Sequence, residues 1–203
     1  MYWKYGYDRY FDSFEHYYSL YQRRNLDLWA EYADGKVTKE ELNRQRYLYP
    51  LEAVGAGDST LAKAYERDAL TMIPTKSKLM PHAREVLEYL SRKYNLYILS
   101  NGFKELQSHK MRSSGIDEYF KKVVLSDDIG ILKPWPEIFH FALSTTQSEL
   151  NNSLMIGDSW ENDIVGAAGV GMHQVFYNLS GRTDLPFAPT YQITDLKDLF
   201  NFL

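Results

Sequence analysis

The chain has 203 residues, 44% of them apolar and 25% charged, with a net charge of −4. That balance is ordinary for a soluble globular protein and leaves room for one domain, or one domain plus a small second one. The absence of cysteine excludes disulfides, thiolate metal sites and a cysteine nucleophile, and the weak acidity offers no footprint for a nucleic-acid polymer. No apolar run reaches the roughly eighteen residues of a membrane span, so no membrane partner is expected. The opening MYWKYGYDRYFDSF lacks the basic-then-apolar order of a signal peptide, and a cytoplasmic location is the default expectation.

The first 73 residues read as helical. SFEHYYSLYQRRNLDLWAEYADG repeats apolar residues at three- and four-residue spacings and closes on Asp-Gly. VTKEELNRQRYLY opens with Thr38 three residues before Glu41, the pattern of a capping box. GDSTLAKAYERDALTMI starts at Asp58-Ser59 and is again periodic. No strand pattern interrupts them, which predicts three or four packed helices. Seventeen tyrosines and four tryptophans crowd the chain, many of the tyrosines before residue 50. They are expected to form an aromatic helical core. The stretch Tyr17-Tyr18-Ser19-Leu20-Tyr21 could instead stack on a nucleobase.

The texture changes after Pro74. PHAREVLEYLSRKY reads as an amphipathic helix with proline in its first turn. NLYILSNG reads as a short strand ending in a turn, FKELQSHKMRSSG as a helix closed by Gly115, and KKVVLSDD as a strand. WPEIFHFALSTTQ is a helix opened by proline, SLMIGD a strand and ENDIVGAAGVG a helix. HQVFYN is a strand, YQIT a candidate strand, and DLKDLFNFL a closing helix. Alternating strands and helices predict a Rossmann-like α/β fold, a parallel sheet flanked by helices. The expected domains are residues 1–75, a helical bundle, and 76–203, with TKSKLMP as a short hinge-like join.

In such sheets ligands bind beyond the carboxyl ends of the strands. There the sequence places Ser100, Asn101 and Gly102 after LYIL, Lys133 after KVVLSDDIGIL, and Asp158 and Asp163 after SLMI. A hydroxyl, an amide, an ammonium and two carboxylates suit a phosphate and a divalent cation. Magnesium is usually held by one or two carboxylates plus water and phosphate oxygens. Each station alone has a plainer role: Asp158 as a helix cap, Asp163 at a positive helix end, Ser-Asn-Gly as a turn. What singles them out is three polar stations in order, each closing a predicted strand. The five histidines show no metal-ligand spacing and read as surface or packing residues. Gly166, Gly169 and Gly171 weaken a helix, a cost that close approach to the sheet would offset.

Residues 80–180 resemble the haloacid-dehalogenase-like superfamily of phosphohydrolases. SNG (100–102) resembles its second motif, whose Ser or Thr binds the phosphoryl group. SDDIGILKPWPEIF (126–139) resembles the third, with Lys133 as the phosphate-binding lysine. GDSWENDIVGAAGVG (157–171) resembles the fourth, where an Asp pair, here Asp158 and Asp163, holds Mg²⁺. Residues 1–73 resemble the helical cap that this superfamily inserts after its first strand. The likeness within the superfamily is to small-molecule phosphatases of the nucleotidase-like branch.

The resemblance implies a Mg²⁺-dependent phosphomonoester hydrolase acting through an aspartyl-phosphate on a small phosphorylated metabolite, such as a nucleoside monophosphate. Catalysis would fall to Lys133, Ser100 and Asn101, with Ser100, Asn101, Gly102 and Lys133 binding phosphate. One part does not match. The superfamily's first motif, a strand followed by Asp-x-Asp-x-Thr, has no counterpart here. Asp8 and Asp12 in YDRYFDSFEH stand four apart rather than two, behind no apolar strand. The nucleophile is therefore expected outside these 203 residues, and the first core strand, central in the family's sheet, with it. That implies about twenty to thirty residues in front, the length of a strand and its lead-in. The alternatives are a catalytically dead relative that binds phosphate, metal or a partner, and a 2-haloacid dehalogenase, which needs the attacking Asp but no metal.

Overall fold

The computed structural model describes all 203 residues. They form two compact units, Met1–Thr75 and Lys76–Leu203.

The first unit holds a 3₁₀ turn, Tyr7–Arg9, and three helices: α1 (Phe14–Ala33), α2 (Lys39–Ala53) and α3 (Ser59–Met72). Each helix begins where a side chain satisfies an otherwise orphaned amide. Ser13 Oγ accepts from His16 N at 3.1 Å, Thr38 Oγ1 from Glu41 N at 3.1 Å, and Asp58 Oδ1 from Leu61 N at 2.9 Å. At Thr38 only half of the expected capping box forms; the Glu41 carboxylate accepts from Arg44 at 3.3 Å. The second helix runs past its predicted end at Tyr49 and through Pro50. That proline removes one N–H from the last turn, but its ring is wholly buried.

The tyrosines of this unit are mainly core. Ring centroids lie 4.8 Å apart for Tyr7–Tyr65, 5.2 Å for Tyr7–Tyr17 and 5.3 Å for Tyr47–Tyr65, and Leu48, Leu51 and Ala69 complete the cluster. Burial pushes the Tyr7, Tyr17 and Tyr47 hydroxyls above their ordinary titration range. Of the stretch Tyr17–Tyr21, Tyr17 is buried and Tyr18 exposed.

The second unit runs α4 (Ala83–Leu90), β1 (Tyr97–Ser100), α5 (Lys104–Ser114), β2 (Lys122–Leu125), α6 (Pro136–Thr146), β3 (Leu154–Gly157), α7 (Gly166–Gly169), β4 (His173–Tyr177) and β5 (Tyr191–Ile193). Pro81 falls in the turn before α4 rather than inside its first turn. The closing segment is a 3₁₀ helix, Leu196–Asn201, capped by Asp195, whose side chain accepts from Lys197 N. All strand pairs are parallel, β1 with β2, β3 with β4, and β4 with β5. No ladder joins β1 to β3, so the strands form two sheets, of two and three strands.

Helices cover both faces. Val175 and Tyr177 of β4 pack with Val86 and Leu90 of α4 and with Ile193 and Leu199, while Phe176, between them, packs with Trp160 and Ile164. That alternation is what a strand's two-residue period produces. Leu99 of β1 and Met155 of β3 pack against one cluster built on Ile138, Phe139 and Ala167, so both sheets rest on the same helical layer. The fold is the Rossmann-like α/β architecture that the alternating pattern predicted.

Candidate active site

The site is built where β1, β2 and β3 end. Lys133 lies beyond β2 and its side chain is nearly buried. Its ammonium donates to the Leu99 carbonyl of β1 at 2.8 Å and to Asp163 Oδ1 at 2.6 Å. Its backbone is held as well. Asn101 Oδ1 accepts from Lys133 N at 2.8 Å, and Asn101 Nδ2 donates to Lys133 O at 3.0 Å. The Lys133–Pro134 peptide bond is cis. Residues 30 to 34 positions away along the chain are thus drawn to one lysine from both sides.

Asp163 is buried, in a short π-helical segment, Trp160–Val165. The sequence pattern predicted an ordinary helix from Glu161 onward. Instead Ser159 O accepts from both Asp163 N (2.9 Å) and Ile164 N (3.3 Å), widening the turn. The wider turn brings the Asp163 carboxylate back onto the end of β3, where its Oδ2 accepts from Ser159 N at 3.0 Å. A Cβ on Gly157 would meet that carboxylate at 2.3 Å, so only glycine fits at the strand's last position. The segment is fastened from outside by Arg182, which pairs with Glu161 at 2.6 Å and lies over the Trp160 ring.

Asp158 is exposed, immediately after Gly157. Its carboxylate makes no hydrogen bond or ion pair, whereas both oxygens of Asp163 are engaged. No cluster of three or more Asp, Glu, His or Cys side chains is assembled for a metal. A pair of carboxylates, one of them free, still fits magnesium, which retains several waters and is completed by phosphate oxygens.

Ser100 closes β1, between the two residues that contact Lys133. Its Oγ accepts from Gly102 N at 3.0 Å and from Gln107 Nε2, on the first turns of α5, at 2.7 Å. Gln107 and Gly157 are the residues that sequence reasoning missed. A single glutamine on a polar helix carries no spacing signal. The glycine did carry one, standing at the end of an apolar strand.

The glycines beyond β3 divide. A Cβ on Gly166 would lie 2.6 Å from the Phe139 ring and 3.0 Å from Pro134 Cα. The close neighbour is therefore α6 and its lead-in rather than the expected sheet. Gly169 has open space around it, and Gly171 turns the chain at φ +79°. Near the start of the chain Asp8 lies in the Tyr7–Arg9 turn, and exposed Asp12 faces His16 at 3.4 Å; neither stands on a strand.

Parallel strands with polar side chains at their carboxyl ends make this a Rossmann-like α/β protein, an architecture in which ligands generally bind beyond those strand ends. More narrowly, the chain belongs to the haloacid dehalogenase-like hydrolases, whose family profile matches residues 3–171. The pyrimidine 5'-nucleotidase YjjG of Escherichia coli is 29% identical over 185 residues, covering 90% of this chain and 80% of that protein. A phosphoserine phosphatase of Thermus thermophilus is 29% identical over 180 residues, with 86% and 67% covered. The magnesium-bound crystal structure of YfnB from Bacillus subtilis superposes with a TM-score of 0.83 at 28% identity, covering 92% of this chain and 82% of that one.

Proposed function

We propose that this chain carries the phosphate- and metal-binding part of a Mg²⁺-dependent phosphomonoester hydrolase acting on a small phosphorylated metabolite. The observation that carries the reading is the convergence on Lys133. Its ammonium joins β1 to Asp163, and Asn101 aligns its backbone. A fixed ammonium beside a donor hydroxyl and two carboxylates answers the needs of a phosphoryl group and its cation.

In this reading Lys133 and Ser100 hold the phosphoryl oxygens as charge redistributes between the attacking and leaving oxygens. Asn101 keeps the lysine aimed at them, and Gly102 lets the loop approach closely. Asp158 and Asp163 would hold magnesium, which when bound would supply positive charge beside the same oxygens. The nucleophile would be an aspartate outside these 203 residues, on a strand pairing with the free edges of β1 and β3, and the intermediate its aspartyl-phosphate. Residues 1–75 would act as the cap that excludes water and selects the leaving group. YjjG's name supports a nucleoside monophosphate as substrate.

Extended at its N-terminus by a strand carrying Asp-x-Asp-x-Thr, the chain is expected to hydrolyse a generic aryl phosphate with magnesium and to stop on chelation. No turnover, or turnover indifferent to Asp158→Asn, overturns the proposal. Halide release from a 2-haloacid that survives chelation would favour carbon–halogen hydrolysis instead. A second reading rests on Asp8 and Asp12, which stand on no strand. In it the 203 residues bind phosphate and metal without turning over. Calorimetry with Mg²⁺ and inorganic phosphate tests that role, and silence removes it.

A further inference from the structure

We propose that Gln107 is a positioning residue that fixes the Ser100 hydroxyl as a hydrogen-bond donor to the phosphoryl group. The inference rests on the phosphate-site reading above. A serine hydroxyl has one O–H to donate and two lone pairs to accept with. Here both lone pairs are occupied by donors, Gly102 N at 3.0 Å and Gln107 Nε2 at 2.7 Å. The O–H is what remains, and phosphoryl oxygens accept without donating. Holding the hydroxyl in that sense before the ligand arrives removes a rotor that binding would otherwise have to freeze.

The local backbone is shaped for this contact. A Cβ on Gly102 would lie 3.0 Å from Gln107 Cγ and Cδ and 3.1 Å from Nε2. A side chain there would push the amide off the serine. Gln107 reaches back from the second turn of α5, whose own amide at 107 bonds the Phe103 carbonyl at 3.0 Å. The helix therefore sets the distance and the glycine clears the path. Gln107→Glu would invert the arrangement, because a carboxylate accepts where the amide N–H donates. The serine proton would then turn toward the helix and away from the ligand.

The test titrates inorganic phosphate into the full chain at saturating Mg²⁺ by calorimetry. Gln107→Met, which keeps the size and loses the donor, is expected to weaken binding about fivefold, the scale of one hydrogen bond. Gln107→Glu is expected to weaken it further. In a Ser100→Ala background Gln107→Met is expected to have no additional effect, and in a Ser100→Thr background its effect is expected to return. A role confined to packing would act equally in all three backgrounds. Wild-type affinity in Gln107→Met, or additive losses with Ser100→Ala, overturns the inference while leaving the site intact. No phosphate binding by the parent chain, or binding unmoved by Ser100→Ala, overturns the site reading and the inference together.

Discussion

At the scale of single residues, the Lys133–Asp163 pair decides most. Both groups are nearly buried and 2.6 Å apart. Removing one partner of such a pair strands a charge away from water, at a cost of about 3–5 kcal/mol. Asp163→Asn is therefore expected to destabilise the chain on that scale in urea unfolding, whereas the double change Lys133→Met/Asp163→Leu recovers much of the loss. Equal destabilisation by the single and double changes would show that packing, rather than charge, dominates there.

Asp68 presents the opposite case, a carboxylate near the surface. Lys4 Nζ donates to it at 2.6 Å, Tyr5 OH at 2.7 Å and Arg67 Nε at 3.2 Å. These bonds, the Lys4 contact foremost, hold its carboxyl well below the usual carboxylate range. A folded-state value below the unfolded one contributes stability that is complete above the ordinary pKa of about 4 and lost as pH falls further. Unfolding followed by circular dichroism from neutral pH to about pH 2 is expected to show this acid loss. Asp68→Asn should flatten it and lower stability at neutral pH.

At the scale of elements, the three helix starts of the first unit were legible because capping is local: Ser13, Thr38 and Asp58 each satisfy an amide three residues on. Helix interiors were less so. The pattern predicts an ordinary helix from Glu161 onward, but Ser159 O accepts from both Asp163 N and Ile164 N, and in that π register Asp163 meets Lys133, 30 residues away. Glycine follows the same division. Gly166→Ala is expected to lower stability by about 1–3 kcal/mol, since the added carbon overlaps the Phe139 ring and overpacking costs that much. Gly169→Ala meets nothing and should be neutral or slightly stabilising, as helix propensity alone would have it. Chemical unfolding of both variants checks the contrast, and a stable Gly166→Ala would refute the packing account.

At the scale of the whole molecule, the chain divides at residues 75–76. Residues 76–80 carry no regular structure, and Lys76 and Lys78 are exposed. Brief trypsin treatment is expected to cut first after Lys76 or Lys78 and to leave two protease-resistant fragments, identified by mass. Early cleavage spread through either unit would contradict the division. Within the second unit the sheet is in two pieces, with β4 paired on both sides and β1 and β3 each paired on one. The unpaired side is reflected in burial: every residue of β1 is only half-buried and Ile156 of β3 is 37% exposed, while Val175 and Phe176 of β4 are fully covered.

By itself the sequence determined the alternation of strands and helices, and it set Ser100, Asn101, Gly102, Lys133, Asp158 and Asp163 beyond the ends of predicted strands. Each of these follows from periodicity, capping or position after a strand, all local properties of the chain. Tertiary structure alone decided that Lys133 is shared between β1 and Asp163, that Asn101 holds the lysine's backbone, and that Gln107 lies on Ser100. These contacts join residues 7 to 34 positions apart in sequence. Their geometry is set by how strands and helices pack, which no local pattern records.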